Sequence, residues 1–551
     1  MTPSAEEGEE PPLEPAPSVA LAGDFPSRPT PAEERRSLGA LGLDPVWDPS
    51  EDLWRVDVPP EGWVAAAVGA SDALQHPLST LFGEAPREAP GTIRVHALFL
   101  GIRPSGGVHL RCALDPPRPT LPTLSTTLPY VAPFERELTE MFGVDVSGLA
   151  DRRPLLLHEH HPNPPLRPGP ASAPDGRRVE YSFRPVEGEG IYEVPVGPVH
   201  AGVIEPGHFR FQVVGEKILN LEARLGYTHK GTERLFEGKP SDLGSIWAES
   251  VSGDMSLAGA AAYAYAVERA LDVAAPPGDE VVRGLLLETE RIAFLLGDVA
   301  GIALDVGYAA GAARANRLRE AAYQTLRAAT GSRLGRGTIG VGGLRRPIRG
   351  NLDPDLATTY ARWREAIGRL RDEWLGKSSV VDRLEGTGEI SRWVAELMHF
   401  VGPVARASGL RIDLRHDRPY GAYVGTEVRV PRGLTGDVRA RLVVKVEEIV
   451  ESCRLAEEFL RRLPADRSPL EPRRPPSPGE RRSGLGWVES PRGEFLVHVT
   501  IGPDARLERV HVRDPSFLNW PAIEFAVRGA ILPDFPLCNK SLNLSYSGYD
   551  R

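Results

Sequence analysis

The sequence predicts an α+β fold with a small N-terminal α/β domain and a large, mainly α-helical bundle domain that also holds a β-hairpin and a small sheet. Short runs of β-branched and aromatic residues, bounded by Pro and Gly, occur between about residues 50 and 110. Segments with an apolar period of about 3.6 residues dominate the chain after residue 240. Alternation of apolar and polar residues predicts strands at 209–223 and 484–499.

The N-terminal part divides into a tail and a domain. Residues 1–40 are acidic and rich in Pro, which predicts a disordered tail. Residues 50–161 are predicted to form the α/β domain. Its predicted elements are strands at Trp54–Val58, Trp63–Val68 and Ile93–Gly101, a helix at Asp72–Phe82, and an amphipathic helix that begins at Phe134 and is ended by Gly143. On residue types alone, the last helix is a surface helix with internal ion pairs.

A histidine-rich run closes this domain. His158, Glu159, His160 and His161 are neighbours, and imidazole is a common metal ligand. Adjacent side chains rarely point the same way, so a plain loop is the favoured interpretation. The Pro-rich and Gly-rich segment 162–190 is then predicted to be an interdomain linker.

The second domain is predicted for residues 191–551. It begins with a β-hairpin, Phe209–Val214 and Ile218–Ala223, around Gly215. Long helices are predicted over 241–274, 278–301, 302–329, 353–375, 388–406 and 436–463. The glycines of 334–350 lack the frame of a dinucleotide loop and indicate a turn. Residues 465–482 are polar and Pro-rich, which indicates a mobile loop.

Composition excludes several function classes. The net charge of −10 and the pI near 5.8 argue against a nucleic-acid partner. The three cysteines, Cys112, Cys453 and Cys538, are scattered, which predicts a reducing compartment and rules out a four-thiolate metal site within the chain. Neither a signal peptide nor a membrane-spanning segment is predicted, so membrane association would come through partner subunits.

The last eleven residues, SLNLSYSGYDR, resemble the C-terminal metal motif of energy-converting, membrane-bound nickel–iron hydrogenases. In that family a stretch of the form SFDPCYSCTDR supplies two cysteines to nickel, and Ser545 and Gly548 stand at their positions. The stretch 249–259 aligns with the family's other cysteine motif, with Ser252 and Met255 at the cysteine positions. Because such a centre needs soft thiolates, the resemblance implies a vacated metal site, no bound metal and no hydrogenase activity.

Further motifs resemble respiratory complex I, the NADH–quinone oxidoreductase. The helix sequence FERELTEMFG is similar to the ERExxDxFG signature of its C subunit, with Glu140 in place of aspartate. Segments shared with its D subunit and with hydrogenase large subunits are GPVH (197–200), EPGHF (205–209), HKGTE (229–233), ERI (290–292), GPVARASGLRIDLRHDRPY (402–420) and VESPRGE (488–494). On chemistry alone, the charges of 402–420 equally fit a hydrogen-bonded surface loop.

The resemblance to the D subunit implies a quinone pocket in the vacated cavity. Its candidate residues are His200, His208, Ser250, Ser252 and Met255, with His208 nearest to the family's quinone-contacting histidine. His208, His229 and Glu233 are candidates for catalytic proton transfer. The alternative for His200 and His208 is that they only satisfy loop backbone groups. The family's quinone tyrosine falls near Ser250, and Leu295 replaces a helix histidine.

Two functions remain open at this point. The first is an electron-transfer subunit of a membrane-associated, complex I-like or hydrogenase-like oxidoreductase, linked to NAD(P)H or ferredoxin, with a quinone-type pocket. The second is a non-catalytic scaffold between an iron–sulfur subunit and an ion-translocating membrane arm. In both, the chain binds no cofactor itself and lies peripherally on the cytoplasmic face of the membrane. The expected partners are an iron–sulfur small subunit, which carries the clusters, and antiporter-like membrane subunits.

Overall fold

The computed structural model describes residues 30–551 except 75–76, 87, 90, 102–105, 116, 168–173, 202–203, 347, 349–351, 353 and 465–476. The predicted disorder of residues 1–29 and most of the predicted mobile loop 465–482 lie outside the described residues. The predicted α+β class is confirmed: a β-rich N-terminal region is followed by a helical domain with small sheets.

The helices are α1 (Pro31–Ala40), α2 (Trp63–Leu74), α3 (Ala132–Phe142), α4 (Thr232–Phe236), α5 (Ser245–Ala248), α6 (Ser256–Leu271), α7 (Pro277–Asp305), α8 (Ala309–Thr330), α9 (Leu356–Leu375), α10 (Ser378–Leu384), α11 (Arg392–Leu397), α12 (Gly402–Ala407), α13 (Leu414–Asp417), α14 (Val438–Arg462), α15 (Pro515–Asn519), α16 (Pro521–Ala526), α17 (Phe535–Leu542) and α18 (Tyr546–Asp550). The strands are β1 (Val46–Asp48), β2 (Leu53–Asp57), β3 (Leu78–Glu84), β4 (Ile93–Leu100), β5 (Gly107–Leu114), β6 (Thr120–Pro122), β7 (Asp145–Ser147), β8 (Ile191–Val196), β9 (His208–Val214), β10 (Lys217–Arg224), β11 (Ile339–Gly340), β12 (Gly343–Leu344), β13 (Arg482–Ser490), β14 (Gly493–Ile501) and β15 (Leu507–Arg513).

A five-stranded sheet in the order β1-β2-β5-β4-β3 forms the N-terminal region. The β2–β5 pair is parallel and the other pairs are antiparallel. The second domain holds two three-stranded antiparallel sheets, β10-β9-β8 and β13-β14-β15, so the predicted hairpin gains a third strand.

Two predicted elements of the N-terminal domain are wrong. Trp63–Val68 begins helix α2 instead of forming a strand, and Asp72–Phe82 contains the end of α2 and the start of strand β3 instead of a helix. The buried residues of α2 follow helical spacing: Trp63, Ala66, Ala67, Ala70 and Leu74. Alanine favours helix, and this spacing outweighs the β propensity of the bulky residues at its start.

The predicted disordered tail is also too long. Residues 31–40 form α1, which begins with a capping box between Thr30 and Glu33. Glu34 and Leu38 are buried on one side of this helix. A single buried leucine is too weak a pattern to identify a helix in a Pro-rich and Glu-rich sequence.

Helix α3 is confirmed, and Gly143 ends it in the left-handed region with φ 67°. The prediction that it is a surface helix is wrong, since Glu135 and Glu137 are buried. Glu135 accepts hydrogen bonds from the Leu124 N–H and the Thr123 hydroxyl, both at 2.5 Å. Glu137 forms an ion pair of 2.7 Å with Arg551 at the other end of the chain. Tertiary partners, and not intrahelical pairs, satisfy these charges.

The bundle is built around α7, which packs against α8, α14 and α17. Helix α6 packs on strands β13 and β14. Its close approach depends on Gly484 and Gly486, where an added Cβ would lie 2.3 Å and 2.0 Å from backbone carbonyl oxygens of α6. The helices predicted at 278–301, 302–329, 353–375 and 436–463 correspond to α7, α8, α9 and α14.

Two long predicted helices are interrupted in the structure. The span 241–274 contains only the single turn α5 and then α6, because residues 249–255 form an irregular segment. The span 388–406 contains α11 and α12, separated at Gly402, whose φ of 67° no continuous helix allows. An added Cβ at Gly402 would lie 2.1 Å from the Arg492 carbonyl oxygen. Helix α10 was not predicted.

Two large hydrophobic cores and one small cluster form among the described residues, and both large cores contain residues from either side of the predicted domain boundary. The first contains α6, α7, α14 and the sheet β13-β14-β15. The second combines the N-terminal sheet with strands β9 and β10 and with the C-terminal segment from Phe517 to Tyr549. None of the described helices has the combination of length and hydropathy that spanning a bilayer requires.

Candidate functional site

The two segments that carry the predicted vacated ligand positions meet in the structure. The Ser252 hydroxyl donates a hydrogen bond of 2.8 Å to the Ser545 hydroxyl oxygen, although the residues are 293 positions apart. Both are buried. Ser545 is the N-cap of α18 and accepts from the Gly548 N–H at 2.9 Å. Two hydroxyl groups therefore join the segments that thiolates and a metal would join in a hydrogenase.

The other two positions hold no polar ligand. Met255 is 1% exposed and immediately precedes α6. A Cβ at Gly548 would lie 2.5 Å from the Asp514 carboxyl group. The Asp514 side chain thus fills the space that a side chain at position 548 would need.

Arg492 crosses the junction between the two segments. Its guanidinium donates to both carboxylate oxygens of Asp254 at 2.8 Å, and to the Asn543 carbonyl oxygen at 2.6 Å. It also donates to the Ser252 hydroxyl oxygen at 3.3 Å and lies 4.5 Å from the centre of the Phe294 ring. This bidentate arrangement fixes the orientation of the arginine.

A cavity of about 460 Å³ opens beside this junction. Its described lining residues include no cysteine. They provide three cations, three carboxylates, and aromatic and amide groups: Arg319, Arg492, Lys540, Glu205, Asp254, Asp298, Phe294, Tyr323, Tyr546, Asn539 and Asn543. Such a wall offers hydrogen bonds and ring contacts to a small organic molecule and no soft ligands to nickel.

A buried ion pair borders the cavity. Asp298 on α7 pairs with Lys445 on α14 at 2.5 Å and also accepts a hydrogen bond from the Asn543 side chain. Burial raises the pKa of Asp298 and lowers the pKa of Lys445, because both charged forms lose hydration. The two shifts bring the proton affinities of the groups closer together, and Asp298 is the member of the pair that lines the cavity.

Glu290 fixes the start of α6, next to Asp254. Its carboxyl oxygens accept hydrogen bonds from the Leu257 N–H at 2.7 Å and the Ala258 N–H at 3.0 Å. Burial raises the pKa of Glu290 to about 8, although these backbone donors act in the opposite direction. The protonation state of the Glu290 carboxyl group is therefore linked to the start of α6, beside the segment that borders the cavity.

Replacing Glu290 with glutamine is expected to reduce the pH dependence of stability. The folded-state pKa of about 8 lies above the ordinary value of 4.5. Between these values the unfolded chain has lost the proton that the folded chain keeps, so stability falls as pH rises, by up to ~1.4 kcal/mol per pH unit. Glutamine stays neutral and removes this contribution. The measurement is the urea midpoint of unfolding from pH 5 to 8, and the control is Glu365→Gln, which changes an exposed glutamate. Equal slopes of the midpoint against pH in wild type and Glu290→Gln would contradict the prediction.

The predicted quinone-contacting histidines do not line the cavity among its described residues. His208 donates through Nδ1 to the Gly197 carbonyl oxygen at 3.2 Å, and His200 donates through Nε2 to the Gly207 carbonyl oxygen at 2.8 Å. These bonds fit the alternative in which both histidines satisfy loop backbone groups. Ser250 is exposed, and its carbonyl oxygen accepts from Lys230 at 2.7 Å.

His229 and Glu233 lie at a different place, against the last residues of the chain. His229 donates through Nδ1 to the Asp550 carbonyl oxygen at 2.7 Å. Glu233 pairs with Arg509 at 2.6 Å and with Arg551 at 3.3 Å. The geometry anchors the C-terminus, and it does not bring these two residues to His208. Their predicted role in proton transfer stays a prediction.

The residues that sequence analysis missed are the six charged ones around the cavity: Glu205, Asp254, Asp298, Arg319, Arg492 and Lys540. Most of these residues lie inside or next to the family motifs, and that position was the signal by which sequence analysis could have found them. Asp298 also interrupts an apolar helix, and a charge at such a position needs a partner. Its partner Lys445 is 147 positions away.

Comparison with known proteins shows which protein family has this architecture. Residues 56–171 match the family of the respiratory-chain NADH dehydrogenase 30 Kd subunit, and residues 305–484 and 478–551 match that of the 49 Kd subunit. Formate hydrogenlyase subunit 5 of Escherichia coli is 30% identical over 494 residues, which cover 86% of this chain and 84% of that protein. The chain belongs to the family of fused 30 kDa and 49 kDa complex I subunits, related to hydrogenase large subunits.

Other relatives agree with this assignment. The fused subunit is 25% identical over 571 residues to the NADH-quinone oxidoreductase C/D subunit of Rhodopseudomonas palustris, covering 93% of this chain and 97% of that protein. Its fold is similar to a chain in the structure of the membrane-bound sulfane sulfur reductase, an archaeal respiratory membrane complex. That match has a TM-score of 0.60 and 24% identity, and covers 67% of this chain and 100% of the other. The family is one of subunits of complex I-like and membrane-bound hydrogenase-like respiratory complexes.

Proposed function

We propose that this fused subunit transfers electrons in a membrane-associated respiratory complex and that its cavity binds a quinone-type acceptor where hydrogenases hold nickel and iron. The donor would be NAD(P)H or ferredoxin, through the clusters of an iron–sulfur small subunit. Antiporter-like membrane subunits would be further partners, and the chain would lie on the cytoplasmic face. The observation that carries this proposal is the cavity formed where Ser252 and Ser545 meet.

The cavity has the size and chemistry for such an acceptor. Its volume of about 460 Å³ lies within the usual range for small-molecule sites. Arg492 and Lys540 are donors for carbonyl oxygens, and Phe294 and Tyr546 offer ring faces. Reduction of a quinone to a quinol takes up two protons with two electrons, and the Asp298–Lys445 pair can exchange protons at the cavity's edge. Dihydrogen is not the substrate in this proposal, because the lining lacks thiolates.

A non-catalytic scaffold is the second candidate, and one observation favours it. The Ser252–Ser545 bond and the Arg492–Asp254 pair already satisfy one another across the junction. A closed polar network can hold two segments together without any ligand. In that case the subunit would couple an iron–sulfur subunit to the membrane arm by contact alone.

Replacing Gly301 with leucine tests the proposal, because it fills the cavity from helix α7. The nearest atom to a Cβ at this position is Lys540 Cδ at 3.8 Å, so the side chain enters open space. We expect quinone-dependent oxidation of the donor by the purified complex to fall at least ~10-fold, since an excluded acceptor loses its contacts. Helix stability should not suffer, because leucine is a better helix former than glycine.

The matched control is Gly368→Leu on α9, where an added Cβ meets nothing within 4 Å. The control complex should keep its full activity. Unchanged quinone turnover in Gly301→Leu, with the complex intact, would reject the acceptor site and leave the scaffold. Stoichiometric nickel together with hydrogen evolution in the wild-type complex would reject both candidates.

A further inference from the structure

A second cluster of titratable side chains lies far from the cavity, where the N-terminal sheet meets strands β13 and β14. It consists of Glu51 from the turn between β1 and β2, His109 from β5 and His498 from β14. All three are fully buried, with exposures of 1%, 1% and 2%. One ligand atom from each lies within 4.8 Å of the other two.

Glu51 is a buried glutamate that, among the described residues, has no arginine or lysine within ion-pair distance and is held mainly by two histidines. Among the described residues it accepts hydrogen bonds from His109 Nδ1 at 2.5 Å, from His498 Nε2 at 3.0 Å and from the Ser483 hydroxyl at 3.0 Å. Glu137 and Glu233, by contrast, are paired with Arg551. Burying an ionised carboxylate without a counter-charge is costly, so the position favours a cation.

We propose that Glu51, His109 and His498 bind a divalent transition-metal ion of the zinc class. A carboxylate and two imidazoles are a known zinc ligand set, with bonds of ~2.0–2.2 Å. Tetrahedral bonds of this length place ligand atoms ~3.3 Å apart. His109 Nδ1 contacts one Glu51 oxygen at 2.5 Å and His498 Nε2 contacts the other at 3.0 Å, so the carboxylate lies between the two imidazoles. The three ligand atoms lie within 4.8 Å of one another, and small side-chain shifts would bring them to this spacing. A water molecule beside Ser483 would complete the four ligands.

The hydrogen bonds behind His109 support this assignment. His109 Nε2 lies 2.8 Å from His96 Nδ1. His96 Nε2 lies 3.4 Å from Glu84 Oε2, an ion-pair distance without hydrogen-bond geometry, and the other Glu84 oxygen pairs with Arg481. A histidine bound to a metal donates its other ring N–H to an acceptor, which fixes the ring. The chain from His109 through His96 to Glu84 has this form.

Proton counting argues against an ionised Glu51 with no cation beside it. If His109 Nδ1 donates a proton to Glu51, its Nε2 must accept the Nδ1 proton of His96. A neutral His96 then turns an unprotonated Nε2 toward the Glu84 carboxylate, which is repulsive. If a metal occupies His109 Nδ1, the Nε2 proton goes to His96 and the His96 Nε2 proton goes to Glu84. Each contact then holds one proton.

The proposed ion would connect the two halves of the fusion. His109 lies within the residues that match the 30 Kd subunit family, Glu51 lies five positions before them, and His498 lies within those that match the 49 Kd subunit family. An ion that binds the folded state alone stabilises it by mass action, so its removal should loosen this junction. The inference is independent of what occupies the cavity, and it departs from the sequence-based expectation that the chain binds no cofactor.

The test uses the full chain, freed of metal with a chelator and titrated with Co²⁺ and then Zn²⁺. Wild type should bind one Co²⁺ per chain with the visible absorption of a four-coordinate nitrogen and oxygen site, and Zn²⁺ should displace it. Zn²⁺ should also raise the thermal midpoint by several degrees. His498→Gln and Glu51→Gln should each lose both effects.

Two controls separate this site from other histidines. His511→Gln changes a buried histidine on β15 that also packs against Phe82, and it should keep the Co²⁺ spectrum. His160→Gln changes the exposed histidine run and should keep it too. Absence of the spectrum in wild type would overturn the proposal even if the variants fail to fold. Undiminished binding in His498→Gln or Glu51→Gln would overturn it as well, and a shared proton would then hold the cluster together.

Discussion

Replacing Arg406 with methionine is expected to lower the free energy of unfolding by about 3–5 kcal/mol. Arg406 is 0% exposed. Its guanidinium donates to Glu448 at 2.6 Å, to Glu489 at 2.8 Å and to the Ile412 carbonyl oxygen at 2.6 Å. Methionine fills a similar volume but removes the nearest counter-charge of two buried carboxylates, and this is the costly way to break a buried ion pair.

Arg406 belongs to a larger buried network in which the family motifs converge. Its other members come from α7, from the start of α13, from α14 and from β13: Glu288, Arg291, Asp413, Arg415, Glu448 and Glu489. Burial and the nearby Asp413 carboxylate raise the pKa of Glu489 to about 7 despite the arginines. The network therefore tolerates little further loss of positive charge.

Arg364→Met is the matched control, because Arg364 also pairs with a glutamate of α14. Its partner is Glu457 at 3.1 Å, and the Arg364 side chain is 43% exposed. Surface pairs of this kind contribute less than about 1 kcal/mol. Urea denaturation followed by circular dichroism compares the two variants. Equal losses of unfolding free energy in the two variants would show that burial does not determine how strongly the Arg406 ion pairs stabilise the fold.

The fold could be predicted from sequence where periodicity is long. Helices α7 and α14 carry many turns of apolar spacing, so their existence and approximate ends follow from the pattern. Short elements carry too few residues for a pattern to decide. The predicted strand at Trp63 and the predicted helix at Asp72 failed for this reason, because tertiary burial of α2 and β3 decides between the two states.

Only those parts of the site that lie in family motifs could be predicted from the sequence. The motifs located Ser252 and Ser545, and the structure brings these two together. They could not show that Arg492 pairs with Asp254, 238 positions away, or that most of the charges of 402–420 are buried. Which charge meets which depends on how helices pack, and sequence spacing carries no information about that. The surface-loop interpretation of 402–420 is wrong because its partners Glu288, Glu448 and Glu489 lie elsewhere in the chain.

Replacing Gly548 with alanine is the other change with a large expected effect, a loss of about 2–3 kcal/mol. The new methyl group would lie 2.5 Å from the Asp514 carboxyl group, so the carboxylate must move. Asp514 is the N-cap of α15 and accepts from the Ser516 N–H at 2.7 Å, and movement breaks this bond. Gly368→Ala, with open space at its Cβ, should instead stabilise slightly because alanine favours helix.

A double-mutant cycle with Asp514→Ala isolates this contact. Asp514→Ala alone loses the cap, but it also removes the obstacle, so Gly548→Ala should cost much less in that background. We expect a coupling of at least ~1.5 kcal/mol between the two changes in urea denaturation; additivity within ~0.5 kcal/mol would refute the steric argument. A positive result means that a cysteine at position 548 would meet the same obstacle. Cysteines introduced at Ser252, Met255, Ser545 and Gly548 would then not form a metal site unless Asp514 were changed too.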